Sequence, residues 1–249
     1  MAGTTIPRRL TWLVADVVEI IVETPKVRSL ILNVPGWVGH RPGQHVDIRL
    51  TAEDGYQVQR SYSIASAPDG ERVEITVERL EDGEVSPYLT GELQVGDKVE
   101  LRGPIGGYFA WDSADGGPLF LVSGGSGVAP LMAMIRQRAA TGSDVPVRLL
   151  YSSRSFEEII YEKELARLAT DVTLEVIHTL TRAQPPDWNG YQRRIDEAML
   201  AEVNWPPAER PLVYVCGPTR LVESVATSLV ALGHEPARIK TERFGPTGV

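Results

Sequence analysis

The chain has 249 residues, enough for one large domain or two ordinary ones, each burying its own core. Its 43% hydrophobic and 23% charged residues suit a globular protein, with no apolar run long enough to cross a membrane. A formal charge of -8 argues against a nucleic-acid surface, and a lone cysteine, Cys216, excludes an intramolecular disulfide and a cluster held by four thiolates.

The first half reads as strands: Trp12 to Glu23, Val27 to Val34, His45 to Leu50, Tyr62 to Ala65, Arg72 to Glu78 and Lys98 to Leu101. Each is bounded by Gly, Pro or Asp, and close spacing with turn signals predicts an antiparallel β-barrel. One short helix fits Ser86 to Thr90, with Ser86 as N-cap and Pro87 in the first helical position. The second half alternates. Strands at Leu119 to Ser123, Val147 to Tyr151, Val172 to His178 and Leu212 to Cys216 are interleaved with helices at Ala129 to Ala140, Glu157 to Ala169 and Arg220 to Leu232. That alternation predicts a Rossmann-like parallel sheet covered on both faces. The expected division falls in the polar stretch 111–118, giving a β-barrel over 1–113 and an α/β domain over 114–249. The barrel half is the acidic one, with 11 Lys and Arg against 17 Asp and Glu. An acidic partner would need a local cluster of basic residues. The absence of a leader-like apolar segment points to the cytoplasm.

Four segments carry candidate chemistry. In Arg60-Ser61-Tyr62-Ser63, strand alternation puts Arg60 and Tyr62 on one side and the two serines on the other. A cation that forks onto phosphate, beside a ring that stacks, suits a phosphorylated aromatic cofactor, although an ordinary exposed strand would look the same. In Gly83-Glu84-Val85-Ser86-Pro87, a sharp turn precedes a helix start whose free N–H groups suit an anion. In Gly124-Gly125-Ser126-Gly127-Val128-Ala129-Pro130, a strand passes through glycines into a helix, with Pro130 fit to start it; the backbone there can approach a diphosphate. The spacing is not Gly-x-Gly-x-x-Gly. Cys216-Gly217-Pro218 is a second turn from strand to helix, and Cys216 is either an inert packing residue or part of a ligand crevice.

Together these segments resemble the ferredoxin–NADP reductase superfamily, in the family's order and across nearly the whole chain. Arg60, Tyr62 and Ser63 match its Arg-x-Tyr-Ser flavin motif, and Gly83 and Ser86 its Gly-x-x-Ser turn. Gly103-Pro104 matches the Gly-Pro that closes the barrel, the 124–130 segment the pyridine-nucleotide loop, and Cys216-Gly217-Pro218 the turn beside nicotinamide. Glu242-Arg243-Phe244 is similar to the acidic-x-aromatic ending of several members. The resemblance implies FAD and a nicotinamide dinucleotide as cofactors, with FMN as the alternative to FAD. It implies Ser63, Cys216 and Glu242 at the reacting atoms. Cofactor contacts would come from Arg60, Ser61, Tyr62, Ser63, Thr76, Val77, Gly83, Val85 and Ser86 on the barrel side. On the other side they would come from Gly125, Ser126, Ser153, Arg154, Arg182, Cys216, Gly217, Pro218 and Phe244. The implied activity passes electrons from NADPH through flavin to a separate acceptor, an iron–sulfur, haem or other redox protein, or a small molecule. A flavin reductase and a flavin redox sensor without turnover are the rival readings. Two features depart from the family's wording: the chain runs on past Phe244, and Gly103-Pro-Ile-Gly-Gly-Tyr-Phe109 carries an extra glycine.

Nucleotide choice is readable from charge. The second α/β strand ends Tyr151-Ser152-Ser153-Arg154 with no acid before Glu157, and Thr181-Arg182 follows the third. A carboxylate there would hold the ribose 2′-hydroxyl of NAD, whereas arginines grip the 2′-phosphate of NADP. The arginines favour NADP, unless both are solvated loop residues.

Overall fold

β-Branched runs broken by turns pair antiparallel in the first half of the chain. The computed structural model describes residues 10–245. Strands β1 (Leu13–Thr24), β2 (Val27–Asn33), β3 (His45–Thr51), β4 (Gln57–Ser63), β5 (Arg72–Glu78) and β6 (Lys98–Ile105) form one sheet in the order β4-β3-β6-β1-β2-β5. The outer strands meet where the chain leaves β4. Ile64 bridges Ile75, and the Ala65 N–H donates to the Glu74 carbonyl at 2.8 Å. The sheet therefore curls into a barrel, filled by Leu30, Leu32, Val46, Ile48, Val73, Ile75 and Val77 among others. Helix α1 (Ser86–Gly91) packs against it through Leu89.

The second half is the expected parallel sheet. Strands β7 (Leu119–Gly124), β8 (Val147–Ser153), β9 (Leu174–Leu180), β10 (Leu212–Pro218) and β11 (Ile239–Phe244) lie in the order β11-β10-β7-β8-β9. Helices α2 (Val128–Thr141) and α3 (Glu162–Leu168) cover one face, α4 (Glu197–Val203) and α5 (Thr219–Ala231) the other. Every residue of β7 is buried: Leu119 and Leu121 face one core while Phe120 and Val122 face the other. A strand covered on both faces reads as an unbroken apolar run. Among the described residues, no helix is long and apolar enough to cross a membrane.

Several boundaries differ from expectation. β4 begins at Gln57, not Tyr62; its polar Gln57, Gln59 and Arg60 are exposed on an outer strand and give no apolar signal. α3 begins at Glu162 rather than Glu157, because residues 156–158 make a 3-10 turn and buried Ile159 and Tyr161 lie in extended and left-handed backbone. β9 begins at Leu174, leaving Val172 fully exposed. Helix α4 and strand β11 went unread. The first is a short helix capped by Asp196, which accepts from the Met199 N–H at 2.8 Å. The second is an edge strand of mixed polarity.

Candidate functional site

The barrel contributes a cation and a ring. In β4, Arg60 pairs with Ile48 and Tyr62 with Val46, so both share the core-facing side of the strand. Tyr62 is half-buried on the barrel core, and burial pushes its phenol up to about 12. Arg60 is exposed, and its guanidinium lies 3.4 Å from the Glu84 carboxylate, which also accepts from the Tyr56 hydroxyl at 3.0 Å. Two of the predicted motifs therefore meet, Arg60 reaching an anionic group carried by the 83–86 turn. Ser61 points the other way and donates to Asp47 at 2.7 Å, in a pair with Arg102.

The 83–86 turn closes differently from expectation. Ser86 is the first residue of α1 rather than its N-cap; Val85 is the N-cap, with no side-chain cap. The Ser86 hydroxyl instead accepts from the Leu80 N–H at 3.0 Å, beside the Gly83 N–H to Leu80 carbonyl bond of 2.9 Å. A Cβ on Gly83 would stand 3.0 Å from that hydroxyl and 3.1 Å from the Leu80 carbonyl oxygen, a tight fit that favours glycine. Val77 and Val85 bury their side chains in the barrel, and Thr76 commits its hydroxyl to Ser29 and Tyr161. These three offer a cofactor only their backbones.

The α/β domain contributes a crevice. β7 and β10 are neighbours, yet the chain leaves them toward opposite faces, into α2 and α5. The carboxyl ends of such strands frame the ligand crevice of an open sheet. There the two turns press together: a Cβ on Gly127 would stand 2.3 Å from the Cys216 carbonyl oxygen. Gly125 has φ of 56° and open space beside it. Helix α2 starts at Val128, so Pro130 lies inside its first turn instead of starting it, and no side chain caps its first N–H groups. Ser126 donates to Glu78 of β5 at 2.7 Å. Gly217 and Pro218 close the second turn, with Pro218 exposed.

Cys216 stands in register between Ser123 of β7 and Glu242 of β11. Burial, then the nearby Glu242 charge, pushes its thiol well above the usual range, so it is a neutral thiol. Burial raises the Glu242 carboxyl to about 7. Its Oε2, like the Ser123 hydroxyl, is buried with no hydrogen-bond partner, an arrangement that asks for a ligand or solvent donor. Ser63 ends β4 half-buried, and Ala65, two residues on, belongs to the same apolar cluster as Cys216. The chain just past β4 thus enters the apolar core of the α/β domain. Phe244 pairs with Pro218 and is 37% exposed; the tail at 246–249 lies outside the described residues. In the segment with the extra glycine, Tyr108 donates to the Ile239 carbonyl at 3.3 Å, while Phe109 packs edge-on against Tyr214 at 5.3 Å.

Arg154 and Arg182, expected to set the nucleotide choice, come together. The Arg182 N–H donates to the Arg154 carbonyl at 2.9 Å, and the Thr181 N–H to that of Ser153 at 3.0 Å. Both arginine side chains are exposed, and neither has an ion-pair partner among the described residues. Ser153 is buried. Sequence reasoning missed Glu78, Glu84 and Ser123. The alternation Val-Glu-Ile-Thr-Val-Glu over 73–78 marked Glu78 as facing outward, but an outward face reads as solvent until a second domain covers it.

Residues 15–110 match the oxidoreductase FAD-binding domain family and residues 121–227 the oxidoreductase NAD-binding domain family. The glycine betaine monooxygenase reductase subunit of Chromohalobacter salexigens is 33% identical over 237 residues, covering 92% of this chain and 63% of that protein. The ferredoxin–NAD(P)(+) reductase component of the naphthalene 1,2-dioxygenase system of Pseudomonas putida is 27% identical, covering 92% and 69%. The FAD/NAD-binding domain of nitric oxide dioxygenase from Vibrio cholerae superposes with a TM-score of 0.85 at 31% identity, covering 94% of this chain and 99% of that one. The chain thus spans 63% of the length of the betaine monooxygenase reductase subunits it matches. On the matched domains, the shared fold and these relatives, the chain belongs to the ferredoxin–NADP reductase superfamily of FAD- and NAD(P)-binding oxidoreductases.

Proposed function

We propose that the protein takes a hydride from NADPH onto bound FAD and hands the electrons to a separate redox partner. The observation that carries this reading is the meeting of the two glycine turns at the β7/β10 switch point, with Cys216 and an unpartnered Glu242 oxygen beside them. The residues fit both groups. Arg60 already faces a carboxylate at the 83–86 turn, where the FAD diphosphate would take that carboxylate's place, and Tyr62 offers its ring to the flavin. Gly125 leaves open space for a dinucleotide.

When bound, FAD supplies the conversion between two-electron and one-electron chemistry. This chain's own residues bind and orient. Cys216, as a neutral thiol, would pack against the nicotinamide rather than act as a nucleophile. Glu242 offers a carboxyl that holds or yields a proton near neutrality, and Ser63 holds the flavin's reacting edge. Arg154 and Arg182 would hold the 2′-phosphate; that both are exposed and joined through their backbones supports NADPH over NADH. We divide the domains between residues 113 and 114. The acceptor is a protein of an oxygenase system, by likeness to the reductase subunits and components named above. Anaerobic addition of NADPH to the purified protein tests the reading: its flavin bleaches, and heat releases FAD. FMN on release, or no bleaching, would contradict it.

A further inference from the structure

The barrel core takes Val73, Ile75 and Val77 from β5, so alternation sends Glu74, Thr76 and Glu78 to the opposite face. Each meets a different part of the α/β domain. Glu74 Oε1 lies 2.8 Å from Arg136 Nη1 on α2, an ion pair without hydrogen-bond geometry. Thr76 Oγ1 is hydrogen-bonded to the hydroxyl of Tyr161, the residue before α3. Glu78 Oε2 accepts from Ser126 at 2.7 Å, in the turn that opens α2. One strand face thus carries three successive polar rungs between the domains.

The rungs are braced from both sides. Arg136 also forks onto Glu164 at 2.6 and 3.0 Å and donates to the Ala65 carbonyl at 2.9 Å. Around the middle rung, the Ser29 hydroxyl lies 2.9 Å from Thr76 Oγ1 and donates to Glu23 Oε1 at 2.8 Å. The other oxygen of Glu23 accepts the Tyr161 backbone N–H at 3.2 Å. The hydroxyls can therefore donate in one direction, Tyr161 to Thr76 to Ser29 to carboxylate, and the carboxylate end makes the chain stronger than neutral bonds alone. Tyr161 is buried with φ of 59°, a left-handed conformation that a bulky residue keeps only when its surroundings enforce it.

We propose that this face of β5 is a positioning device. It sets the α/β domain against the barrel so that the 124–127 turn, held directly by the third rung, meets the end of β4 in the geometry that hydride transfer requires. Tyr161 is its central positioning residue. The inference rests on the nucleotide-site reading above and adds what fixes that site in place. A misplacement of about 1 Å far from the chemistry can cost about a hundredfold in rate, so small slips between the domains are enough.

The test uses the whole flavoprotein with Tyr161→Phe, which keeps the ring, and Thr76→Val with Thr76→Ser as its rescue. In anaerobic stopped flow at saturating NADPH, Tyr161→Phe and Thr76→Val should lower the limiting rate of flavin bleaching about ten- to a hundredfold. The Kd for NADPH should stay within about threefold, the long-wavelength absorbance of stacked nicotinamide and flavin should fade, and Thr76→Ser should recover both. An unchanged limiting rate and absorbance in both variants overturns the proposal. In the nucleotide-free protein, amide exchange over residues 159–165 should quicken about tenfold in Tyr161→Phe, and unchanged protection also overturns it. Should Tyr161→Phe not fold, Thr76→Val carries the same expectations, and Glu78→Ala, which cuts the outer rung, should quicken exchange over residues 125–130 in the nucleotide-free protein; unchanged protection there overturns the proposal. Wild-type flavin that NADPH does not bleach would remove the nucleotide-site reading instead, and the exchange data would then decide the device alone.

Discussion

Replacing Arg154 with alanine probes the nucleotide choice through a group that only one nucleotide carries. A charged hydrogen bond contributes about 1.5–3 kcal/mol, and about 1.4 kcal/mol is tenfold in an equilibrium constant. Arg154 is exposed, so solvent screening puts the effect at the lower end, near tenfold. KM for NADPH should therefore rise about tenfold in steady-state assays with an artificial acceptor, while KM for NADH moves little. Arg182→Ala should act alike. The double variant should approach equal use of both nucleotides, with less than full additivity, because the two residues are joined through their backbones at 2.9 Å. The wild-type preference should weaken as salt rises, since exposed charges are screened within about 10 Å at 0.1 M. A wild type that prefers NADH refutes the reasoning. Equal losses for both nucleotides would assign the arginines to the loop or the shared diphosphate.

Three further outcomes follow from the site. Arg60→Ala should weaken FAD retention by about tenfold or more in equilibrium dialysis, since it removes a charge-assisted phosphate contact; unchanged affinity would take Arg60 out of the site. Cys216→Ser should slow stopped-flow flavin bleaching while leaving FAD bound, and an unaltered rate would return Cys216 to packing alone. Glu242 has a folded-state pKa raised to about 7, above the ordinary carboxylate range. The folded protein therefore binds the extra proton between about pH 4.5 and 7, and the stability this group contributes declines as pH rises through that window. Glu242→Gln should flatten the fall in melting temperature over that range; an unchanged slope would locate it elsewhere.

Much of this was legible because single segments carried it. The all-apolar Leu119–Val122 run, set among alternating helices, reads as a doubly covered strand, and in the glycine turn that follows β7 the structure explains Gly127 by its contact with Cys216. The Arg60-Ser61-Tyr62-Ser63 segment and the 83–86 turn were each ambiguous, and only the barrel's curvature joins Arg60 to Glu84. What stayed hidden depends on partners that the segment itself does not show. Thr76 reads as a cofactor contact, yet its hydroxyl belongs to Ser29 and Tyr161, 47 and 85 residues away in sequence. Ser86 looks like a helix cap but is drawn into the first turn by the Leu80 N–H. The first choice is made by long-range packing and the second by a bond within the 80–86 turn, and local propensity encodes neither.

The most direct test of the central claim is a two-step anaerobic experiment on the purified flavoprotein. NADPH is added until the flavin bleaches, and a one-electron acceptor is then mixed in. The account predicts that one equivalent of NADPH bleaches one FAD, and that two equivalents of acceptor restore the oxidised spectrum. Flavin that stays yellow with NADPH, or bleached flavin that does not return electrons to a one-electron acceptor, would contradict it.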